Sequence, residues 1–243
     1  MFLLRKIHIV LKRCKIGKEY VLKWVKEIGW GILSMDMEYK DFLKRLKEER
    51  VSRKLTQLQM GSGLRMGQSH YSKAELGTRK FTFYEMQSLC ETELDVFYIL
   101  TGIRLDGKYR EVLETRSYHE LSFLMRIVCY LDSFRNKNDL QYYLGDSNNI
   151  FYSLRRVKNY SQKKMSELLG MDVKKLRDME KGITLPDSEM ILKMYCILQV
   201  PFFVILKEKN LLVSELCYML GCLEKNTSKE MFGLIQDCVN LME

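Results

Sequence analysis

The sequence predicts an all-α protein, and three observations carry that reading. Proline occurs only at Pro186 and Pro201, and the one Asp-Gly pair is Asp106-Gly107, so β-hairpin turn signals are almost absent. Apolar residues recur at intervals of three and four along most of the chain, the period of a helix with one buried face. A stretch of 22 residues, Thr56–Gly77, returns at Ser161–Gly182 with a constant offset of 105. That offset superimposes Gln57 on Gln162, Met60 on Met165, Leu64 on Leu169, Met66 on Met171, Glu75 on Glu180 and Gly77 on Gly182. At 243 residues the chain is long enough for two small domains with cores of their own.

In chain order, residues 1–37 form a basic N-terminal extension, read as a floppy segment. Arg5, Lys6, Lys12 and Arg13 interrupt its apolar runs, so neither a membrane span nor a signal peptide is expected there. Residues 38–102 form the first helical domain. Its first helix runs from Asp41 to about Lys54 through Phe42, Leu43 and Leu46, and further helices are expected at Phe83–Cys90 and Leu94–Leu100. Tyr71, Phe81, Phe83 and Tyr84 are read as closing the core of this domain rather than as a stacking platform for single strands. Residues 103–147 form a connector with a loop at Arg104–Lys108. A helix is expected from Thr115, striped by Tyr118, Leu121, Leu124, Val128 and Leu131. Residues 148–209 form the second domain, with helices near Ile150–Lys158, Asp187–Leu198 and Pro201–Lys207. Residues 210–243 are expected to form a helical hairpin that breaks around Asn226–Ser228. The stripe Val213, Leu216, Cys217, Leu220, Leu223 marks its first helix, and Thr227 with Glu230 makes a capping box for the second.

The repeated stretch reads as two short helices and a turn. In the second copy Ser161 is a good N-cap, and Met165, Leu168 and Leu169 share a face. Gly170 can take positive φ in the turn, and Asp172 caps a second helix whose inward face is Val173, Leu176 and Met179. Small residues, Gly61 and Ser166, stand where the helices must approach closely. In the first copy Gly61 and Gly63 each cost a helix up to about 1 kcal/mol relative to alanine. Arg65 there occupies the turn position of Gly170, and a non-glycine residue with positive φ is strained.

Both copies resemble the phage-repressor type of helix-turn-helix, the Cro/C1 or XRE-like group. The pattern is an Arg, seven residues to a Gln opening helix 2, a small residue within helix 2, then helix 3 ending in Glu-x-Gly. Here it reads Arg50, Gln57, Gly61, Glu75, Gly77 and again Arg155, Gln162, Ser166, Glu180, Gly182. The resemblance spans about Tyr39–Gly102 and Asn148–Lys209. It implies two five-helix lambda-repressor-like DNA-binding domains in tandem, joined by the helical connector and followed by the C-terminal hairpin. It further implies that Gln57 and Gln162 bond DNA phosphate and that helix 3 enters the major groove. The base-reading positions would be Gln68, Ser69, Ser72 and Lys73 in copy one. In copy two they would be Val173, Lys174, Lys175, Arg177 and Asp178, with Val173 weakening the case. An amide such as Gln68 can pair N6 and N7 of adenine, whereas Lys174 and Arg177 suit guanine or phosphate equally. Arg50–Glu75 and Arg155–Glu180 are implied to be structural ion pairs.

Charge needs dissection before it is read as a nucleic-acid footprint. The net charge is +9, but residues 1–34 hold eight Lys/Arg against two Glu. Asn148–Lys209 carries twelve basic against seven acidic residues, and Glu38–Gly102 eleven against nine, which makes copy two the stronger electrostatic anchor. The seven cysteines (14, 90, 129, 196, 217, 222 and 238) are scattered without a C-x-x-C, and most sit among apolar neighbours as small hydrophobes. A reduced, cytoplasmic setting, no metal and no cofactor are expected. Enzyme chemistry has no visible seat. Gly61-Ser-Gly63 lies inside a helix without the strand that a phosphate loop needs, and Glu48-Glu49 reads as a solvated helix face beside Arg50.

Two functions follow from this reading. The first is a sequence-specific regulator of the repressor type that binds double-stranded DNA, one polypeptide mimicking a dimer. The alternative is an antitoxin or other partner-binding protein of the same fold, in which one or both modules serve protein interaction. The apolar stripes of the connector and C-terminal helices would then dock a protein partner or a second copy of the chain.

Overall fold

The computed structural model describes residues 38–105, 107, 109–125, 150–198, 200–226 and 237. Helices and short connections make up all of that chain, with no strand among the described residues. In the first half α1 is Tyr39–Ser52, α2 Gln57–Gly63, α3 Gln68–Glu75, α4 Phe83–Cys90 and α5 Val96–Thr101. A short α6, Arg110–Glu114, and α7, residues 118–125, follow. The second half holds α8 Ile150–Val157, α9 Gln162–Leu169, α10 Val173–Glu180, α11 Ser188–Leu198, α12 Phe202–Leu206 and α13 Lys209–Asn226. The basic extension, most of the connector stripe and the second helix of the expected C-terminal hairpin lie outside the described residues.

The five-helix pattern α1–α5 recurs as α8–α12, and the backbone repeats more fully than the side chains. Positive φ occurs at Lys54 and Asn159 (57° and 56°), Arg65 and Gly170 (57° and 63°), Gly77 and Gly182 (79° and 71°), and Gly102 and Lys207 (77° and 58°). Each pair is 105 apart, so the repeated backbone runs well past the 22-residue stretch to the end of the fifth helix. Only some of these positions carry glycine. A side chain held at positive φ costs about 1–2 kcal/mol. Arg65→Gly should therefore raise stability by about 1 kcal/mol, because its ion pair with Glu91 is exposed and adds little. A urea titration showing no gain would mean that the turn is not strained.

The two halves pack directly on one another. Ser188 at the start of α11 joins them, its N–H donating to Phe81 O at 2.9 Å and its Oγ accepting from Phe81 N at 3.1 Å. The same Oγ lies 2.8 Å from Tyr39 Oη, and Lys80 pairs with Glu189 at 3.1 Å. Helix ends are closed by side chains from afar, as their unpaired carbonyls require. Gln87 donates to Leu206 O at 3.0 Å and Asn210 to Cys90 O at 3.2 Å. Arg45 donates to Ile99 O and Leu100 O at the end of α5.

Helix α13 departs from the expected one-sided stripe. Residues Leu211 to Cys217 are all buried, Ser214 and Glu215 included, and so are Met219 and Leu220. A helix enclosed on every side is an interior element, not a cap on one face. Phe97 packs on Tyr218 with ring centroids 6.0 Å apart, Arg110 donates to Ser214 Oγ at 3.0 Å, and Phe202 N–H donates to Glu215 Oε1 at 2.9 Å. Thus α13 ties α5, α6 and α12 together.

Glu49 is a second correction. The expected solvated face holds for Glu48, but Glu49 is only 1% exposed. It accepts from Arg104 at 2.8 Å, from Arg53 at 3.4 Å and from Asp95 N–H at 3.3 Å. Burial pushes its carboxyl up, yet these donors outweigh that and hold it below the usual range. Among the aromatics, Tyr71 and Phe81 close the core as expected, whereas Tyr84 is exposed.

Candidate nucleic-acid interface

Each helix-turn-helix is assembled by local chemistry. In copy two Ser161 Oγ accepts from Lys164 N–H at 3.1 Å, Gly170 makes the left-handed turn, and Asp172 Oδ1 accepts from Lys174 N–H at 2.6 Å. Copy one opens α2 with a capping box, in which Thr56 and Gln59 exchange bonds of 2.8 and 3.1 Å between backbone and side chain. Its α3 begins at Gly67 without a side-chain cap. The close approach falls at the small residues. A Cβ on Gly61 would lie 2.9 Å from Met66 O, and Ser166 at the matching position is buried.

Three elements converge on one carboxylate in each copy. Arg50 donates through Nε to Glu75 Oε1 at 2.7 Å and through Nη2 to Oε2 at 3.1 Å, and its Nη1 reaches Leu55 O at 2.8 Å. Gln57 Nε2 donates to Glu75 Oε2 at 2.8 Å, and Tyr71 Oη donates to Oε1 at 3.0 Å. Arg155, Gln162 and Glu180 repeat the arrangement, with Arg155 Nε on Glu180 Oε1, Nη2 on Oε2 at 3.2 Å, Nη1 on Tyr160 O at 3.3 Å, and Gln162 Nε2 on Oε2 at 2.7 Å. Burial pushes the Glu75 carboxyl up, but Arg50, Gln57 and Tyr71 hold it below the usual carboxylate range. Tyr71 is pushed upward by burial and by the charge of Glu75.

The network constrains the two glutamines. A carboxylate only accepts, so the amide nitrogen must face it. Each glutamine then keeps one N–H to donate to a phosphate, while its carbonyl oxygen can only accept from a donor group.

Of the positions carried over from the resemblance, Gln68, Ser69 and Lys73 are exposed on α3 and Ser72 is half-buried. On α10, Lys174, Lys175 and Arg177 are exposed, and Val173 and Asp178 are half-buried. Lys175 lies 3.9 Å from Asp187, a partner that sequence spacing did not suggest. The contacts that join the two halves run through Tyr39 of α1, the loop before α4, α4, α5 and α6 on one side and through α11, α12 and α13 on the other, and Gln68 and Ser69 of α3 and Lys174 and Lys175 of α10 stay exposed. Arg156, Lys163 and Lys181 are further exposed cations beside α9 and α10, absent from the positions the resemblance supplied. Comparing the two copies position by position would have found them.

No cluster of His, Cys, Asp and Glu suited to a metal occurs among the described residues, and no helix there is long and apolar enough to cross a membrane. A cleft of about 500 Å³ lies between the α4–α5 turn, α6 and α13, away from α3 and α10. Neither a protein-family model, nor a curated protein, nor a solved structure matches the chain.

Proposed function

We propose that this chain is a sequence-specific regulator that binds double-stranded DNA, of the repressor type, with helix 3 of one or both helix-turn-helix units in the major groove. The observation that carries the reading is the doubled unit itself. Two short-helix pairs, each braced by an Arg–Gln–Glu network, present the polar N-terminal turns of α3 and α10 outward. Such a turn, rigidly held, is what a major groove accepts. Two copies packed into one molecule serve as the two lambda-repressor-like heads of a dimer, with unequal reading helices and therefore an asymmetric operator. The reading places the protein in the cytoplasm and assigns it no catalytic step and no cofactor.

The test is Gln68→Ala. If Gln68 pairs an adenine, the variant should lose about 1–3 kcal/mol of binding and relax preference at one base position. Unchanged affinity and preference, measured on a selected duplex, would remove α3 from the readers.

A specific observation favours the second reading for copy one alone. Val51, Leu58 and Leu76 are 57%, 56% and 71% exposed around the ends of α1, α2 and α3. Apolar side chains so placed suit an antitoxin-like contact with a protein partner.

A further inference from the structure

At three matched surface positions, each next to a member of the ion-pair network, the two copies carry opposite chemistry. Arg155, Gln162 and Glu180 converge on one ion-pair network, and the next residue after each is an exposed cation: Arg156, Lys163 and Lys181. The same three positions around the matching network of copy one are Val51, Leu58 and Leu76, all exposed and all apolar. Backbone geometry is shared, because the positive-φ residues and the network bonds repeat at the offset of 105. The difference is therefore one of side-chain chemistry on equivalent surfaces.

Arg156, Lys163 and Lys181 belong to no ion pair among the described residues; the pairs formed here are Arg155–Glu180 and Lys175–Asp187. Neighbouring exposed Lys174 and Arg177 extend the positive surface along α10. Lys163 also sits in the first turn of α9, whose first N–H groups have no intrahelical acceptor and favour an anion. Like charges held unpaired on a rigid surface repel one another, and a polyanion relieves that repulsion.

Resting on the DNA-binding reading above, we infer that copy two alone grips the phosphate backbone, through Arg156, Lys163 and Lys181, while the matched surface of copy one makes no phosphate contact. The two heads thus divide the work: copy two anchors the chain electrostatically to any duplex, and copy one adds contacts only where the sequence suits it. A duplex fits better than a membrane surface because the cations line the end of α8, the start of α9 and the end of α10 beside a projecting polar helix.

The experiment measures binding of the full chain to a fluorescent random-sequence duplex across a salt series. The parent is compared with the triple variant Arg156→Ala, Lys163→Ala, Lys181→Ala, and with Val51→Ala, Leu58→Ala, Leu76→Ala in copy one. Removing one cation from a phosphate lowers the slope of log K against log salt by about 0.9. The copy-two variant should lose roughly 2 to 3 in slope and at least about tenfold in affinity. The copy-one variant should keep the parent slope. Arg156→Lys with Lys163→Arg and Lys181→Arg should restore it, separating charge from folding. A parent slope that survives the copy-two substitutions, in a chain that still binds duplex, overturns the division of work and leaves the DNA-binding reading intact. A parent that binds no duplex overturns both. Binding to phosphatidylserine vesicles without duplex binding, lost in the copy-two variant, overturns both in favour of a membrane surface.

Discussion

Replacing Glu75 with alanine is expected to destabilise the protein by about 3–5 kcal/mol, the cost of leaving one member of a buried ion pair without its partner. The side chains of Arg50 and Glu75 are only 11% and 3% exposed, so solvent offers the orphaned guanidinium little relief. Tyr71 Oη, which is buried, loses its acceptor in the same step and adds to the loss, and half-buried Gln57 Nε2 loses the same acceptor with water within reach. Glu180→Ala should cost less, because Leu176 stands where copy one has Tyr71 and one donor fewer is stranded. Sign and pH window follow from the depressed pKa of Glu75. The contribution is present above the unfolded carboxyl pKa and is lost as pH falls through the folded value. Urea unfolding at neutral pH checks this directly. A loss below about 1 kcal/mol for Glu75→Ala would show that the network does not brace the module.

The second large effect concerns pH and Glu215. Its side chain is buried around α13, where burial pushes its pKa from 4.5 up to about 8 despite the backbone N–H groups of Phe202 and Phe203. In the folded chain it stays protonated where the unfolded chain ionises. Stability is therefore full below the unfolded pKa and falls as pH rises towards the folded one. At about 1.4 kcal/mol per pH unit the loss approaches about 4 kcal/mol by pH 8. Glu215→Gln keeps an oxygen for the Phe202 N–H, 2.9 Å away, and removes the charge. The variant should match the parent near pH 5 and exceed it by several kcal/mol at pH 8. Parallel unfolding midpoints across that range would mean that Glu215 ionises freely in the folded state.

What could be read from sequence was what short-range chemistry decides. Ser161 and Asp172 cap their helices because a side-chain oxygen needs only the next turn's N–H. Gly170 turns left-handed because it alone of its neighbours does so without strain. Helices at Phe83–Cys90 and near Ile150–Lys158 and Asp187–Leu198 fell within a residue of their observed bounds for the same reason.

The misreadings of Glu49 and α13 involve partners far along the chain. Glu49 looked solvent-facing beside Glu48, but Arg104 and the Asp95 amide arrive from the end of the domain to enclose it. Helix α13 showed a stripe because two of its enclosed residues, Ser214 and Glu215, are polar, and each is satisfied by a donor from another helix. Ser188 gave no local sign that it would join the two copies through Phe81 and Tyr39. At the candidate interface the helices α3 and α10 themselves were legible, whereas the exposed cations Arg156, Lys163 and Lys181 stand out only against Val51, Leu58 and Leu76 at the matching positions of the first copy.

Selection of bound duplexes from a random-sequence DNA pool, with the full chain at near-physiological salt, tests sequence-specific binding most directly. Enrichment of a fixed motif read by α3 is expected, flanked at constant spacing by the stretch that copy two grips. A pool whose composition stays unchanged through successive rounds would contradict the DNA-binding function.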